Sequence, residues 1–271
     1  MHRTCGWLLC LWLIAPAPGL AGSPADGCEV TIRADGVRLA GQLVVPLTAW
    51  APAAEPGAGA GSLWLPALQG PLAELRDARQ ARRLVTGPGP QALCLSVERE
   101  APYGLLTRVL YTVGQVGFNR LRFPIEDGRK TREISLELPS FESPAEEAAA
   151  PGLELTVVVE RRGLTLSGVG GRLEPETEAD GKIGDPAAPT LALVAGPGCE
   201  GGPAPTAACL PLARLGKKLD EIKRAFPEER RVVVAAMPEL RFGDLVALLD
   251  ALRGSAERPL FPDVLLSAGI Q

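Results

Sequence analysis

His2 is the only histidine in the 271-residue chain, and it lies in what reads as a removable leader. The remainder has none, which excludes Ser-His-Asp and Cys-His catalysis, histidine-ligated metals and histidine pH switching together. No C-x-x-C pair exists either, so neither a zinc site nor any cofactor is expected. Aromatic residues make up only 4%, and no Lys/Arg cluster is interleaved with them. With a net charge of −4, the chain offers no broad nucleic-acid surface and no polybasic membrane patch. A catalyst would have to rest on carboxylates such as Glu98, Glu100 and Glu126, whose spacing shows no pairing, and the chain is not expected to be an enzyme. "AGPGCEGG" lacks the Lys-Ser/Thr and the helix start of a phosphate loop. What is present in quantity is apolar: 46% of the residues, enough for a packed core.

The first residues read as an export signal. His2 and Arg3 precede an unbroken apolar run, Gly6 to Ala15, and small residues at Gly19 and Ala21 fit cleavage after Ala21. Ten such residues rise only about 15 Å as a helix, half a bilayer, so the run is short for an anchor. A lipid-anchored alternative at Cys28 meets Asp26, a poor fit to the small, apolar residues expected before a lipidated cysteine. The mature chain keeps Cys28, Cys94, Cys199 and Cys209, which in an exported protein suggests two disulfides with three possible connectivities. Two cysteines fall in each half, which favours Cys28–Cys94 and Cys199–Cys209; four free thiols are the other reading.

The chain spells one design twice. Tyr103-Gly104 answers Phe242-Gly243, 139 residues on, and Leu106, Val109, Leu110 and Val113 answer Leu245, Leu248, Leu249 and Leu252. Both sets follow the i, i+3, i+4, i+7 spacing of a helix with one buried face. A β-like run precedes each, "ALCLSV" and "VVVAAM". Further upstream "PLAEL" at Pro71 answers "PLARL" at Pro211, each opening a helix, with Leu212, Leu215, Leu219 and Ile222 as the second copy's stripe. At the head of each half the frame G-x-x-L-x-G, Gly36–Gly41 and Gly163–Gly168, reads as strand, turn, strand, with glycine supplying the turn. Each half is thus expected to run strand, strand, helix, strand, helix, strand. Residues 139–152, rich in Pro, Ala and Glu, read as a linker, and Pro46–Gly61 and Glu174–Pro189 as exposed insertions. The expected division is a signal peptide at 1–21, a first module at 28–138, the linker, and a second module at 153–271.

"APYGLLTRVLYTVGQVGF" resembles the periplasmic domain of the ExbD/TolR family of biopolymer-transport proteins, which shows a strand, an acidic residue, V-P-Y-G, a helix ending M-D-A-L-R, and A-G-F. Glu98 stands at the acidic position, and Pro102, Tyr103 and Gly104 match; Leu110 and Tyr111 replace the methionine and aspartate. The second copy keeps Asp250, Ala251, Leu252 and Arg253, with Phe242-Gly243 for Tyr-Gly and Met237 at the acidic position. The resemblance implies an α+β fold of two tandem ExbD/TolR-like modules, each a small mixed β-sheet packed with two helices. It also implies a periplasmic, non-catalytic accessory role in a proton-motive-force-coupled envelope system, with ExbB/TolQ-like or ExbD/TolR-like proteins, or peptidoglycan, as partners. The family's membrane aspartate has no counterpart in the leader, so no proton path is expected. The two copies are expected to form an internal pseudo-dimer. Tyr103, Gly104, Phe242, Gly243 and Asp250 are the candidate binding residues; the bland alternative is a structural corner for the aromatic-glycine pairs and a solvated carboxylate for Asp250. An exported scaffold with no motor association is the competing reading.

Overall fold

The computed structural model describes residues 27–52, 62–86, 92–127, 130–138, 152–174, 188–199, 202–255 and 257–267. The expected leader, Asp26 of the lipid-anchor alternative, all but Gly152 of the expected linker, and most of the second insertion lie outside the described residues. What is described is α+β, with two mixed sheets and four helices.

Alternating apolar residues start each sheet. Strands β1 (Val30–Arg33) and β2 (Gly36–Leu39) form an antiparallel hairpin that buries Val30, Ile32, Val37 and Leu39. Next come β3 (Gln42–Thr48), β4 (Ala51–Pro52), helix α1 (Pro66–Thr86), β5 (Leu93–Val97), helix α2 (Tyr103–Gln115), β6 (Arg120–Asp127) and β7 (Lys130–Glu137). Their sheet runs β4-β3-β2-β1-β5-β6-β7. The second half repeats the core of this order with β8 (Leu155–Glu160), β9 (Gly163–Gly168), β10 (Gly171–Arg172), β11 (Leu191–Ala192), helix α3 (Leu212–Ala225), β12 (Arg231–Ala236), helix α4 (Phe242–Arg253) and β13 (Asp263–Leu266). Its sheet runs β10-β9-β8-β12-β13, with β11 also paired to β9.

The correspondence holds residue by residue. Val30↔Leu39 and Arg33↔Gly36 across the first hairpin match Val157↔Leu166 and Glu160↔Gly163 across the second. The parallel pair Val30↔Leu95 matches Val157↔Val234. Strand β12 is apolar almost throughout, as a parallel strand covered on both faces must be. The expected stripes are buried on α2 and α4, and Leu215, Leu219 and Ile222 are buried on α3, with Leu212 half-buried.

Three local expectations are corrected. Helix α1 begins at Pro66 and runs through Pro71 instead of starting there. An internal proline costs a helix about 3 kcal/mol, but the added turn brings Leu68 to full burial beside Leu72, with Leu65 just ahead of the helix also fully buried, each contributing roughly 1.5–3 kcal/mol. The first insertion is not wholly loop: Leu47 alternates with Val45 into the core and carries the chain through β3, and only from residue 53 does it leave the described residues. Finally, of the framing glycines Gly41 does supply a turn, at φ +82° between β2 and β3, whereas Gly36 and Gly163 open β2 and β9 and do not. A Cβ on Gly36 would lie 2.8 Å from Val45 O, and one on Gly163 would lie 2.2 Å from Leu191 O, so the glycines admit the next strand.

Candidate functional site

The two halves meet where their second helices begin. Pro102 and Arg241, the residues before α2 and α4, are both extended and pair as an antiparallel bridge. Tyr103 N–H donates to Leu240 O at 2.7 Å, and Phe242 N–H donates to Ala101 O at 2.8 Å. One residue further on, Gly104 N–H donates to Pro238 O at 2.9 Å, and Gly243 N–H donates to Arg99 O at 2.8 Å. Each bond has its mirror in the other half, the pattern of an isologous contact in which one patch meets its own copy. The glycines permit the approach: a Cβ on Gly104 would come within 2.9 Å of Pro238 Cβ, and one on Gly243 within 3.3 Å of Arg99 Cβ.

The aromatic partners of those glycines are spent inside the junction. Tyr103 is 1% exposed, and its hydroxyl reaches into the second half, within hydrogen-bonding distance of Val234 O (3.3 Å) and of Ser267 O. Burial pushes its phenol above the ordinary tyrosine range. Phe242 is 5% exposed and stacks at a tilt on Phe123 of the first half, centroids 5.9 Å apart. Asp250 lies on α4 and forms a two-pronged ion pair with Arg132 of β7, while Arg253 donates to Ser135 O at 2.7 Å. Burial pulls Arg253 below the usual guanidinium range, and the Asp250 charge works against that. Four of the five candidates thus form the junction itself, and the fifth ties α4 to the first half's last strand.

The carboxylates noted in the sequence gather beside this junction. Glu98, Glu100 and Glu126 line a cleft of about 260 Å³ together with Arg33 and Arg99, over an apolar wall that includes Phe242 and Val246. Glu98 Oε2 accepts Ala34 N–H at 2.9 Å, and Arg99 Nη1 donates to Glu126 O at 3.4 Å. Among the described residues no group of three or more His, Cys, Asp or Glu is placed to hold a metal ion. Sequence reading missed Arg33, Arg99 and Pro124 as cleft residues. Only Pro124 carries a local signal, a proline inside a strand pattern.

Both favoured disulfides are present, Cys28–Cys94 and Cys199–Cys209. A Cys28 sulfur held by Cys94 cannot also carry a lipid, which removes the lipid-anchored alternative for the disulfide-bonded chain. Glu29 supports the first bridge by accepting Cys94 N–H at 2.9 Å while pairing with Arg79. Two disulfides fit an oxidising compartment, and among the described residues no helix is long and apolar enough to cross a membrane. Compared with protein-family models, with curated proteins and with solved structures, the chain matches none.

Proposed function

We propose that the chain is an exported, non-catalytic accessory protein of an ExbD/TolR-like envelope system, two ExbD/TolR-like modules fused so that one chain supplies an internal pseudo-dimer. It acts by binding an ExbB/TolQ-like or ExbD/TolR-like envelope protein, or peptidoglycan, from the periplasmic side. The observation that carries this reading is the reciprocal junction at Tyr103-Gly104 and Phe242-Gly243. A contact that is self-complementary between two copies is what a homodimer uses, and fusing the copies raises their effective concentration toward each other. The motif residues are therefore assigned to making the paired unit, and partner contact to surfaces that pairing creates.

The test is to tag the C-terminus, cross-link living cells, identify what co-purifies, and read the mature N-terminus from the same sample. Recovery of a channel-type subunit or an ordinary ExbD/TolR-like protein, with a start near Gly22, is the expected result. Recovery of the protein alone would overturn the motor association and leave an exported scaffold.

A further inference from the structure

Beside the junction, three parallel strands run out together. Strands β1 and β5 pair in parallel, as do β5 and β6, and the β5–β6 ladder stops at Cys94↔Arg122. The cleft lies beyond that point, with Arg33 closing β1, Ser96 to Glu100 leaving β5, and Pro124 to Glu126 towards the end of β6. Open α/β sheets take small ligands in such a crevice, at the carboxyl ends of their parallel strands.

The lining carries charge that the fold does not use. Arg33 and Arg99 stand in it with Glu98 and Glu100, two of each sign. None of the four is in an ion pair, with one another or with any other described residue. Their side chains bond only to main chain: Glu98 Oε2 accepts Ala34 N–H at 2.9 Å, and Arg99 Nη1 donates to Glu126 O at 3.4 Å. The Arg33 and Glu100 side chains make no hydrogen bond among the described residues. Glu126, the third glutamate of the lining, already has a partner and is left out of the count.

The second half shows that this lining is not a property of the shared fold. Matching positions follow the register: Leu95 and Val234 answer Val30 and Val157, while Arg33 and Glu160 close the first strands of the two hairpins. Glu160, Met237 and Pro238 therefore stand where Arg33, Glu98 and Arg99 do, and only Glu239 keeps the charge of its counterpart, Glu100. Both cations belong to the first half alone.

We propose that the cleft binds a free α-amino acid with an aliphatic side chain. Such a ligand carries a carboxylate and an ammonium on one carbon, so it answers both signs at once. The carboxylate takes the guanidinium groups of Arg33 and Arg99, whose planar forks match it. The ammonium has three donors for Glu98 and Glu100. The first turn of α4 lines the cleft through Phe242 and Gly243, and its positive end also favours the carboxylate. Val97, Ile125 and Val246 join Phe242 in receiving the side chain. A lone cation or anion would leave one pair of charges unanswered. The volume, about 260 Å³, falls below the roughly 300–1,000 Å³ of pockets for drug-sized ligands and suits a molecule of a few carbons. The site goes beyond the envelope reading and stands or falls separately from it.

The test titrates the full disulfide-bonded chain with L-leucine, with isoamylammonium (leucine without its carboxylate) and with isocaproate (leucine without its ammonium). Binding is read by calorimetry and by the amide shifts of Ser96, Val97 and Gly243. Saturable binding of L-leucine is expected, about tenfold tighter than either analogue, since each lacks one set of charge-assisted hydrogen bonds. Arg33→Gln should remove the advantage of leucine over isoamylammonium, and Glu100→Gln its advantage over isocaproate. No saturable binding of L-leucine, an analogue that binds as tightly, or unchanged preferences in both variants would overturn the proposal; should one variant fail to fold, the other decides.

Discussion

Tyr103 concentrates the junction's chemistry in one hydroxyl. It serves two carbonyls of the opposite half from a position 1% exposed, so removing it takes a donor from the half-buried Ser267 O and leaves Val234 O with Ser267 N–H alone. Tyr103→Phe should cost about 1–3 kcal/mol at neutral pH. The same burial makes stability depend on pH. The phenol keeps its proton in the folded chain well above 10.0, where the unfolded chain releases it. Its contribution is full below pH 10 and declines above, by about 1.4 kcal/mol per pH unit while the folded group stays neutral. Urea titrations at pH 7 and pH 11 should show that share of the alkaline loss disappearing in Tyr103→Phe; an unchanged alkaline loss would contradict the burial. The paired glycines make a sharper contrast. An alanine gains about 1 kcal/mol of helix propensity over glycine. At Gly243 the nearest atoms, Arg99 Cβ and Nε at 3.3 Å and Arg99 O at 3.4 Å, need give only a few tenths of an ångström, which the propensity gain offsets, and Gly243→Ala should be close to neutral. At Gly104 the obstacle is a proline ring at 2.9 Å that cannot rotate away, and Gly104→Ala should be destabilising by about 1–3 kcal/mol. Thermal midpoints of the two variants check the order.

At the scale of elements, the stripes on α2, α3 and α4 were legible because a 3.6-residue period survives in sequence whatever it packs against. Strand β3 was not, since Pro46 and the Ala/Gly-rich residues after it look like loop and only the alternation of Val45 with Leu47 betrays a ladder. The start of α1 was missed for a similar reason: a proline reads as a beginning, and burial of Leu65 and Leu68 against the rest of the fold is a tertiary fact. The disulfides act on elements of different span. Cys28–Cys94 encloses 66 residues and Cys199–Cys209 only 10, so loop entropy alone assigns about 4 and about 3 kcal/mol. Replacing each pair with alanine should therefore cost more for Cys28–Cys94, as read by the urea midpoint. The Arg132–Asp250 pair between β7 and α4 is the opposite case. Its side chains are 40% and 44% exposed, so a double-mutant cycle should return no more than about 1 kcal/mol, shrinking with added salt.

For the whole molecule, the doubling was visible in the sequence and the way the copies meet was not. Two amphipathic helices 139 residues apart announce two buried faces. Nothing in their spacing says that the residue before one helix stands opposite the residue before the other, because that pairing is carried by backbone bonds of their neighbours and leaves its trace only in two glycines and two extended residues. The cleft was still less legible, since its lining comes from segments far apart in the chain, Arg33, Arg99, Pro124 and Phe242 among them. Neither disulfide crosses from one half to the other, so among the described residues the junction is held without a covalent bond beyond the chain itself. The most direct test is to place a protease site between residues 139 and 151, cleave the folded protein, and measure the mass of the product by light scattering during gel filtration. The account predicts a one-to-one complex of the two fragments with the mass of the uncut chain, and its dissociation on adding Gly104→Ala with Tyr103→Phe. Elution as two separate folded fragments, from the unsubstituted protein, would contradict it.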